Sequence, residues 1–297
     1  MTVVVTPTNA ACGADVSGFD ITNFSDDEFG LIKQALLDHL VIRVRGQKFD
    51  DLVHRAFTQR FGELEYSPTT KFSGKPWLAD FPEMSQITNK MKDGKPMGTL
   101  GDREAFWHTD MSYIQEPPLG SLLHAFEVPP EGGDTEFLNM YRALEEMPAA
   151  LRTIIEPLQI KHESIHSSDG SLRNGKKEPE SGDVREMEGT NHYIIRTHPE
   201  TGRDALFLGR RNNAYVVGMA LGESEALLDE LWAYVAGRRD LTWRQIWKVD
   251  DLIMWDNRST MHRRDAFDGD SYVRMMHRTV VKGDRPFYGA AASSKKG

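Results

Sequence analysis

Phe106-Trp107-His108-Thr109-Asp110-Met111-Ser112-Tyr113 is the stretch that decides how this chain folds and what it can hold. Aromatic residues at both ends give it the composition of a strand. On a strand, residues i and i+2 point to the same side, so His108 and Asp110 project into one cavity while Thr109 points away. Two histidines and one carboxylate hold a divalent iron on one face and leave the opposite face open for a cosubstrate and dioxygen. His-x-Asp alone is a common triplet, expected about once by chance in a chain of this length. A third ligand and a cosubstrate site are needed.

The C-terminal third offers both. Leu252-Ile253-Met254-Trp255-Asp256 reads as a short buried strand, Asn257-Arg258-Ser259-Thr260 breaks it, and His262 follows. In Tyr272–Val281, a period of two puts Arg274, Met276, Arg278 and Val280 on one face, and Val273, Met275, His277, Thr279 and Val281 on the other. Both faces mix apolar and polar residues, as in a strand of a filled barrel. Four residues apart on one face, Arg274 and Arg278 stand roughly 13 Å apart at about 3.3 Å per residue. Arginine captures carboxylates bidentately, so such a face can anchor two anions, one at each end of a site. The competing reading pairs these arginines with Asp265, Asp268 and Asp270.

These residues and several others resemble, in order, the taurine/2,4-dichlorophenoxyacetate dioxygenase (TauD/TfdA) family of iron(II)- and 2-oxoglutarate-dependent oxygenases. Trp107-His108-Thr109-Asp110 matches its Trp-His-(Thr/Ser)-Asp motif, and Gly132-Gly133-Asp134-Thr135 its Gly-Gly-Asp-Thr. His198-Pro199-Glu200-Thr201-Gly202-Arg203 matches the His-Pro-x-Thr-Gly-Arg turn. Trp255-Asp256-Asn257-Arg258 with His262, then Arg274-Met275-Met276-His277-Arg278, complete the series. Gly13-Ala14-Asp15-Val16-Ser17-Gly18 resembles the family's opening, so the likeness runs from about residue 13 to about residue 282.

The resemblance implies that His108, Asp110 and His262 ligate iron(II). It implies that Arg274 and Thr135 bind the distal carboxylate of 2-oxoglutarate in a pocket lined by Trp255, and that Arg278 pairs with an anionic substrate group. It also implies a mainly β fold with flanking helices around a double-stranded β-helix (a cupin-like jelly roll), and oxygen-dependent conversion of 2-oxoglutarate to succinate and carbon dioxide. The substrate is hydroxylated, and cleaved where that carbon bears a heteroatom. The chain departs from the taurine-specific members at two places. Glu104 stands where an asparagine is expected, and the loop Tyr66-Ser67-Pro68-Thr69-Thr70 offers no histidine. Taurine is therefore not the expected substrate. Glu104 is a candidate for a substrate cation, against a plain surface carboxylate beside Arg103. A small sulfonate, phenoxyalkanoate, other carboxylate or phosphonate fits Arg278. The rival readings are a metal-dependent hydrolase, which has no use for Arg274 with Thr135, and a non-catalytic cupin-like binding protein. Dimers or tetramers are expected by family analogy.

Composition bounds the rest. The chain has 297 residues and a net charge of −9, against a nucleic-acid surface. No run reaches the eighteen or so apolar residues of a membrane span, and Met1–Pro7 lacks the features of a signal peptide. The single cysteine, Cys12, fits a reducing cytoplasm and reads as inert. A single catalytic domain over 1–297 is expected. Ser25-Asp26-Asp27-Glu28 is a capping box for a helix carrying Phe29, Ile32, Leu36 and Leu40. Further helices are expected over Asp51–Phe61, from Pro148 to about Glu156, and over Glu223–Val235. Strands are expected at 40–44, 120–127, 192–197, 205–208, 241–249, 252–256 and 272–281. Ser167–Thr190 is rich in Gly, Ser and charge and too poor in apolar residues to bury a core. It reads as a flexible insertion and, lying between the iron-binding strands, as a lid. His198-Pro199-Glu200 sits in a turn and reads as structural, and Trp243 and Trp247 read as core.

Overall fold

A computed structural model describes residues 2–67, 70–71, 74–102, 104–173 and 175–289, with only the backbone of Leu100. Pro68, Thr69, Arg103 and Asn174 lie outside the described residues. Twelve strands build the core: β1 Val4–Pro7, β2 Ala14–Ser17, β3 Val41–Val44, β4 Ser85–Thr88, β5 Thr99–Leu100, β6 Ala105–His108, β7 Gly120–Glu127, β8 Thr135–Asn139, β9 Thr242–Gln245, β10 Leu252–Asp256, β11 Thr260–Arg264 and β12 Met275–Val281. The larger sheet runs β1-β2-β3-β10-β7-β12-β4-β5, and the smaller β9-β8-β11-β6. They face each other as a jelly roll: Phe137 of β8 and His262 of β11 lie with ring centroids 5.6 and 4.8 Å from Trp255 of β10.

Alternation along the large sheet separates two cores. Ile253 and Trp255 of β10, Leu123 and Ala125 of β7, and Met276 of β12 join the core that includes Phe137. Leu252, Met254 and Leu122 turn to the other face, under Ile32, Ala35 and Leu36 of α1 (Asp26–His39) and Phe57 of α2 (Asp51–Gln59). A one-residue slip of β10 would exchange these sets, so the pattern pins the register. The capping box starts α1: the Ser25 hydroxyl accepts from the Glu28 N–H at 3.2 Å, and the Glu28 carboxylate accepts from the Ser25 N–H at 2.8 Å. Helices α3 (Met140–Glu145), α4 (Ala149–Ile155) and α5 (Leu221–Gly237) contribute Leu144, Leu151, Leu228 and Leu231 to the first core.

Several elements differ from expectation. The strand expected over 272–281 starts at Met275, where its register against β7 shifts between Met275 and Met276. Arg274 is thereby off the ladder. The strand expected over 241–249 stops at Gln245, and the chain then turns so that Trp247 points inward. The span 192–197 divides into Gly189–Tyr193, paired with Gln159–Glu163, and Ile195–Thr197. The insertion of 167–190 therefore ends in a strand, and it joins the body at its start, where the Ser168 carbonyl accepts from the Phe106 N–H at 3.0 Å.

Candidate active site

The site begins where β6 ends. His108 is the last residue of β6, and its Nδ1 donates to the Phe106 carbonyl at 2.7 Å. That bond fixes the tautomer and leaves the Nε2 lone pair free. His262 stands opposite His108 in the β11–β6 ladder, their ring centroids 4.1 Å apart. Asp110 does not continue the strand. It sits in a turn tightened by Met111 at φ +47°. Asn257 clamps this turn: its side-chain carbonyl accepts from the Asp110 N–H at 2.9 Å, and its amide donates to the Asp110 carbonyl at 3.0 Å. His108 Nε2 lies 3.7 Å from Asp110 Oδ1, and His262 Nε2 lies 3.9 Å from Asp110 Oδ2. Among the described residues these three form the one cluster of ligand-type atoms, all within 4.8 Å of one another.

Burial sets the charges. It pushes His108 down to about 4 and His262 well below its ordinary value, the mutual effect of the two rings adding to the latter. Both rings are neutral at pH 7, as a metal ligand must be. Burial alone would raise the Asp110 carboxyl. Arg278, His262 and His108 together outweigh it and hold the group below the usual carboxylate range. One anion between two neutral imidazoles, all facing inward, suits a divalent cation.

A second buried centre lies around Arg274. Its Nε donates to the Gly133 carbonyl at 3.1 Å, and its guanidinium stands 5.7 Å from the Trp247 ring. Gly133, at φ +67°, lets the backbone come this close, since a Cβ there would meet the Arg274 Cδ at 3.1 Å. The Trp247 indole donates to Thr135 Oγ1 at 3.1 Å. Arg264 is the ladder partner of Thr135 and shares its face. Burial pulls Arg274 well below the usual arginine value; Arg264 reinforces that and Asp134 opposes it. Among the described residues no carboxylate lies within ion-pairing distance of Arg274, and the expected partners Asp265, Asp268 and Asp270 are not used by it. A guanidinium held dry and unneutralised is a receptor for an anion.

Arg278 leaves β12 on the inner face and meets Asp110 Oδ2 at 3.0 Å, its guanidinium 5.8 Å from the Trp255 ring. Trp255, expected to line the cosubstrate pocket, packs between His262 and Arg278, with its indole N–H buried and unbonded. Trp247 belongs to the core, as expected along with Trp243, and its ring also stands next to Arg274. Glu104 pairs with Arg263 at 3.2 Å. Arg263 leaves β11 opposite to His262, so Glu104 stands in an outer ion-pair network with Glu136 and Asp265, not at the triad. His198 is structural as expected: it contacts Asp256 at 3.0 Å, and Arg258 binds the same carboxylate at 2.7 Å. Cys12 is buried, which pushes its thiol up to about 12.

The profile of the "Taurine catabolism dioxygenase TauD, TfdA family" matches residues 5–280. This chain belongs to that family. It is a 2-oxoglutarate-dependent non-haem iron dioxygenase. The dioxygenase is 31% identical over 279 residues to the alpha-ketoglutarate-dependent 2,4-dichlorophenoxyacetate dioxygenase of Cupriavidus pinatubonensis, covering 90% of this chain and 94% of that one. It is 30% identical over 280 residues to an alkylsulfatase of Acinetobacter baylyi, covering 92% and 82%. A crystal structure of AAD-2 in complex with Mn(II) and N-oxalylglycine superposes with a TM-score of 0.77 at 27% identity, over 97% of this chain and 100% of that one. No described helix is long and apolar enough to cross a membrane.

Proposed function

We propose that His108, Asp110 and His262 hold iron(II), that Arg274, Thr135 and Trp247 seat the distal carboxylate of 2-oxoglutarate, and that Arg278 receives an acidic group of a small organic substrate. The observation that carries this reading is the pairing of two inward-facing centres. One is a cluster of two neutral imidazoles and a carboxylate, and the other is a buried arginine with no anion of its own. Such a cosubstrate needs both: a metal for its keto acid end and a dry cation for its other end. The AAD-2 complex supports the pairing, because N-oxalylglycine carries a chelating oxalyl group and a remote carboxylate, beside a divalent metal. Iron supplies the redox chemistry with dioxygen.

This chain's residues orient and exclude. Phe106 and Asn257 fix two of the ligands. Trp255, Phe137 and the apolar face of β7 keep bulk water from the triad. Arg278 has a double role. It balances Asp110 at 3.0 Å, and a divalent ion on the triad takes up the charge of Asp110 and leaves the guanidinium to an incoming anion. Named relatives act on 2,4-dichlorophenoxyacetate and alkyl sulfates, acids in both cases. Hydroxylation of a small acid, with bond cleavage where the product is unstable, is the reaction we assign to a single catalytic domain. A hydrolase leaves the Arg274 centre without a use.

The test is succinate formation with iron(II), 2-oxoglutarate and oxygen across small sulfonates, carboxylates, phenoxy acids and phosphonates. Substrate-dependent succinate that vanishes in His108→Ala is expected. Substrate turnover that persists without oxygen, or without 2-oxoglutarate, would refute the assignment in favour of a hydrolase.

A further inference from the structure

We propose that Arg173, Arg210 and Tyr113 form the second half of the substrate site, and that the substrate is a small diacid, gripped by Arg278 at one acidic group and by this trio at the other. The inference rests on the reading of Arg278 given above.

The trio is built against the triad by contacts on both sides. The Thr109 N–H, between two of the ligands, donates to the Gly209 carbonyl at 3.0 Å. Gly209 is in the left-handed region at φ +66°, and a Cβ there would sit 2.7 Å from the Ser112 hydroxyl and 1.9 Å from His162 Nδ1. Only glycine brings this turn so close, and Arg210 follows it directly. Arg210 stands near enough for its charge to bear on both His108 and Asp110. Arg173 arrives from the insertion, whose start is tied to β6 through Phe106. Tyr113 is buried, three residues past Asp110 in the same turn region. Both guanidiniums lie over its ring, Arg173 at 4.4 Å and Arg210 at 5.5 Å. Arg173 also donates to the Tyr113 hydroxyl at 2.8 Å.

Charge separates a binding role from a structural one. The carbonyl of His166 accepts from Arg173 at 2.8 Å and from Arg210 at 2.5 Å, which holds two like charges side by side. Among the described residues neither arginine has a carboxylate within ion-pairing distance. Glu163 stands in their surroundings, but its Oε2 accepts from the backbone N–H groups of Ile165 and His166. Elsewhere this acidic chain pairs its arginines readily, as Arg43 with Asp15 and Arg258 with Asp256 show. An arginine that only pinned the insertion would do the same. Two adjacent unneutralised guanidiniums beside a metal-type site form a second anion receptor.

The experiment uses the full chain loaded anaerobically with iron(II) and saturating 2-oxoglutarate, and reads the visible charge-transfer absorption of the iron-bound keto acid. The probes are 3-sulfopropionate and 3-phosphonopropionate against propionate and propanesulfonate; plain dicarboxylates are avoided because they also fit Arg274. A perturbed band reports binding beside the metal, whereas a lost band reports displacement of 2-oxoglutarate. The diacids are expected to perturb the band at concentrations at least tenfold lower than the monoacids. Arg173→Gln is expected to erase that tenfold preference, and Arg173→Lys to keep part of it. Monoacids binding as tightly as diacids, diacids that bind nowhere or only displace 2-oxoglutarate, or a preference surviving in Arg173→Gln, each overturns the proposal. If no band forms on adding iron(II) and 2-oxoglutarate, the reading beneath it fails first and takes this one with it.

Discussion

Asn257→Ala measures how far one amide builds the metal site. The side chain accepts from the Asp110 N–H at 2.9 Å and donates to the carbonyls of Asp110 at 3.0 Å and Pro118 at 3.2 Å. Asp110 is buried, so alanine strands its N–H and C=O. A buried polar group left unmade costs about 1–3 kcal/mol, or roughly 2–6 kcal/mol for the two. The variant has two ways out. It can keep the turn and lose that stability, or open the turn to water and let Asp110 leave His108 and His262. In the second case a bound metal must restore the turn. Loss of such a support typically weakens metal binding about 10–100-fold, equivalent to about 1.4–2.8 kcal/mol. The two losses draw on the same contacts, so they trade against each other. Urea unfolding without metal and calorimetric titration with Mn(II), applied to both proteins, separate them. We expect a Kd raised at least tenfold together with a measurable loss of stability. A Kd within twofold and a stability loss under about 1 kcal/mol would show that Asp110 is held by other contacts, and the positioning role of Asn257 would be refuted.

Trp247→Phe removes the indole donor to Thr135 while keeping the ring beneath Arg274; a lost hydrogen bond of about 1 kcal/mol raises the Kd for 2-oxoglutarate roughly fivefold, and an unchanged titration would leave Trp247 with a packing role alone. Gly209→Ala combines a left-handed backbone with a severe approach to His162, so chemical denaturation is expected to show a loss of about 2–5 kcal/mol. His124 has both ring nitrogens buried without partners, and burial pushes it down to about 4. The unfolded chain therefore takes up a proton near pH 6.5 that the folded one refuses. Stability is full above that value and falls as the pH drops towards 4, by about 3 kcal/mol from this group. His124→Phe, packed between Phe49 and Phe126, is expected to flatten that part of the pH–stability curve, and an unchanged slope would argue against it.

The triad was legible because its donors lie in short, spaced motifs, yet its geometry was not. Period-two reasoning placed Asp110 on the strand with His108, whereas the turn at Met111 and the reach of Asn257 across 147 positions put it there. The same reasoning placed Arg274 and Arg278 on one face, as found, but the register shift beside Met275 carries Arg274 off the ladder towards Gly133. Trp247 was rightly read as core, but its contacts with Thr135 and Arg274 were not readable, because the alternation it shared with Trp243 ends at Gln245. Glu104 looked available because its partner, Arg263, lies 159 residues away. Sheet order was out of reach for the same reason: Val41–Val44 pairs with Leu252–Trp255, a contact that no local pattern announces. The capping box of α1 and the inner and outer faces of β10 are local or strictly periodic, and they were readable.

The distribution of charge shows how an acidic protein could receive the acidic substrate proposed for it. The chain carries a net charge of −9, with its carboxylates largely outside, in networks such as Glu104, Glu136 and Asp265 around Arg263. Arg264 and Arg274 are buried inside the jelly roll, Arg278 lines it, and Arg210 follows Gly209, whose carbonyl accepts from the Thr109 N–H. Desolvating a guanidinium costs several kcal/mol unless an anion accompanies it. Buried Arg258 has Asp256 and Arg278 has Asp110, whereas Arg274, among the described residues, has only backbone and aromatic contacts. On the proposed reading, a bound anion at Arg274 offsets part of that desolvation cost. Binding then recovers an electrostatic cost already incurred on folding, which concentrates affinity on ligands with acids at the right places and withholds it from neutral molecules of the same shape. The outer negative field slows the approach of those same anions. On the proposed reading, selectivity rests on Arg274, which has no carboxylate within ion-pairing distance among the described residues, and on Arg278, whose partner Asp110 is taken up by the metal, and not on long-range attraction.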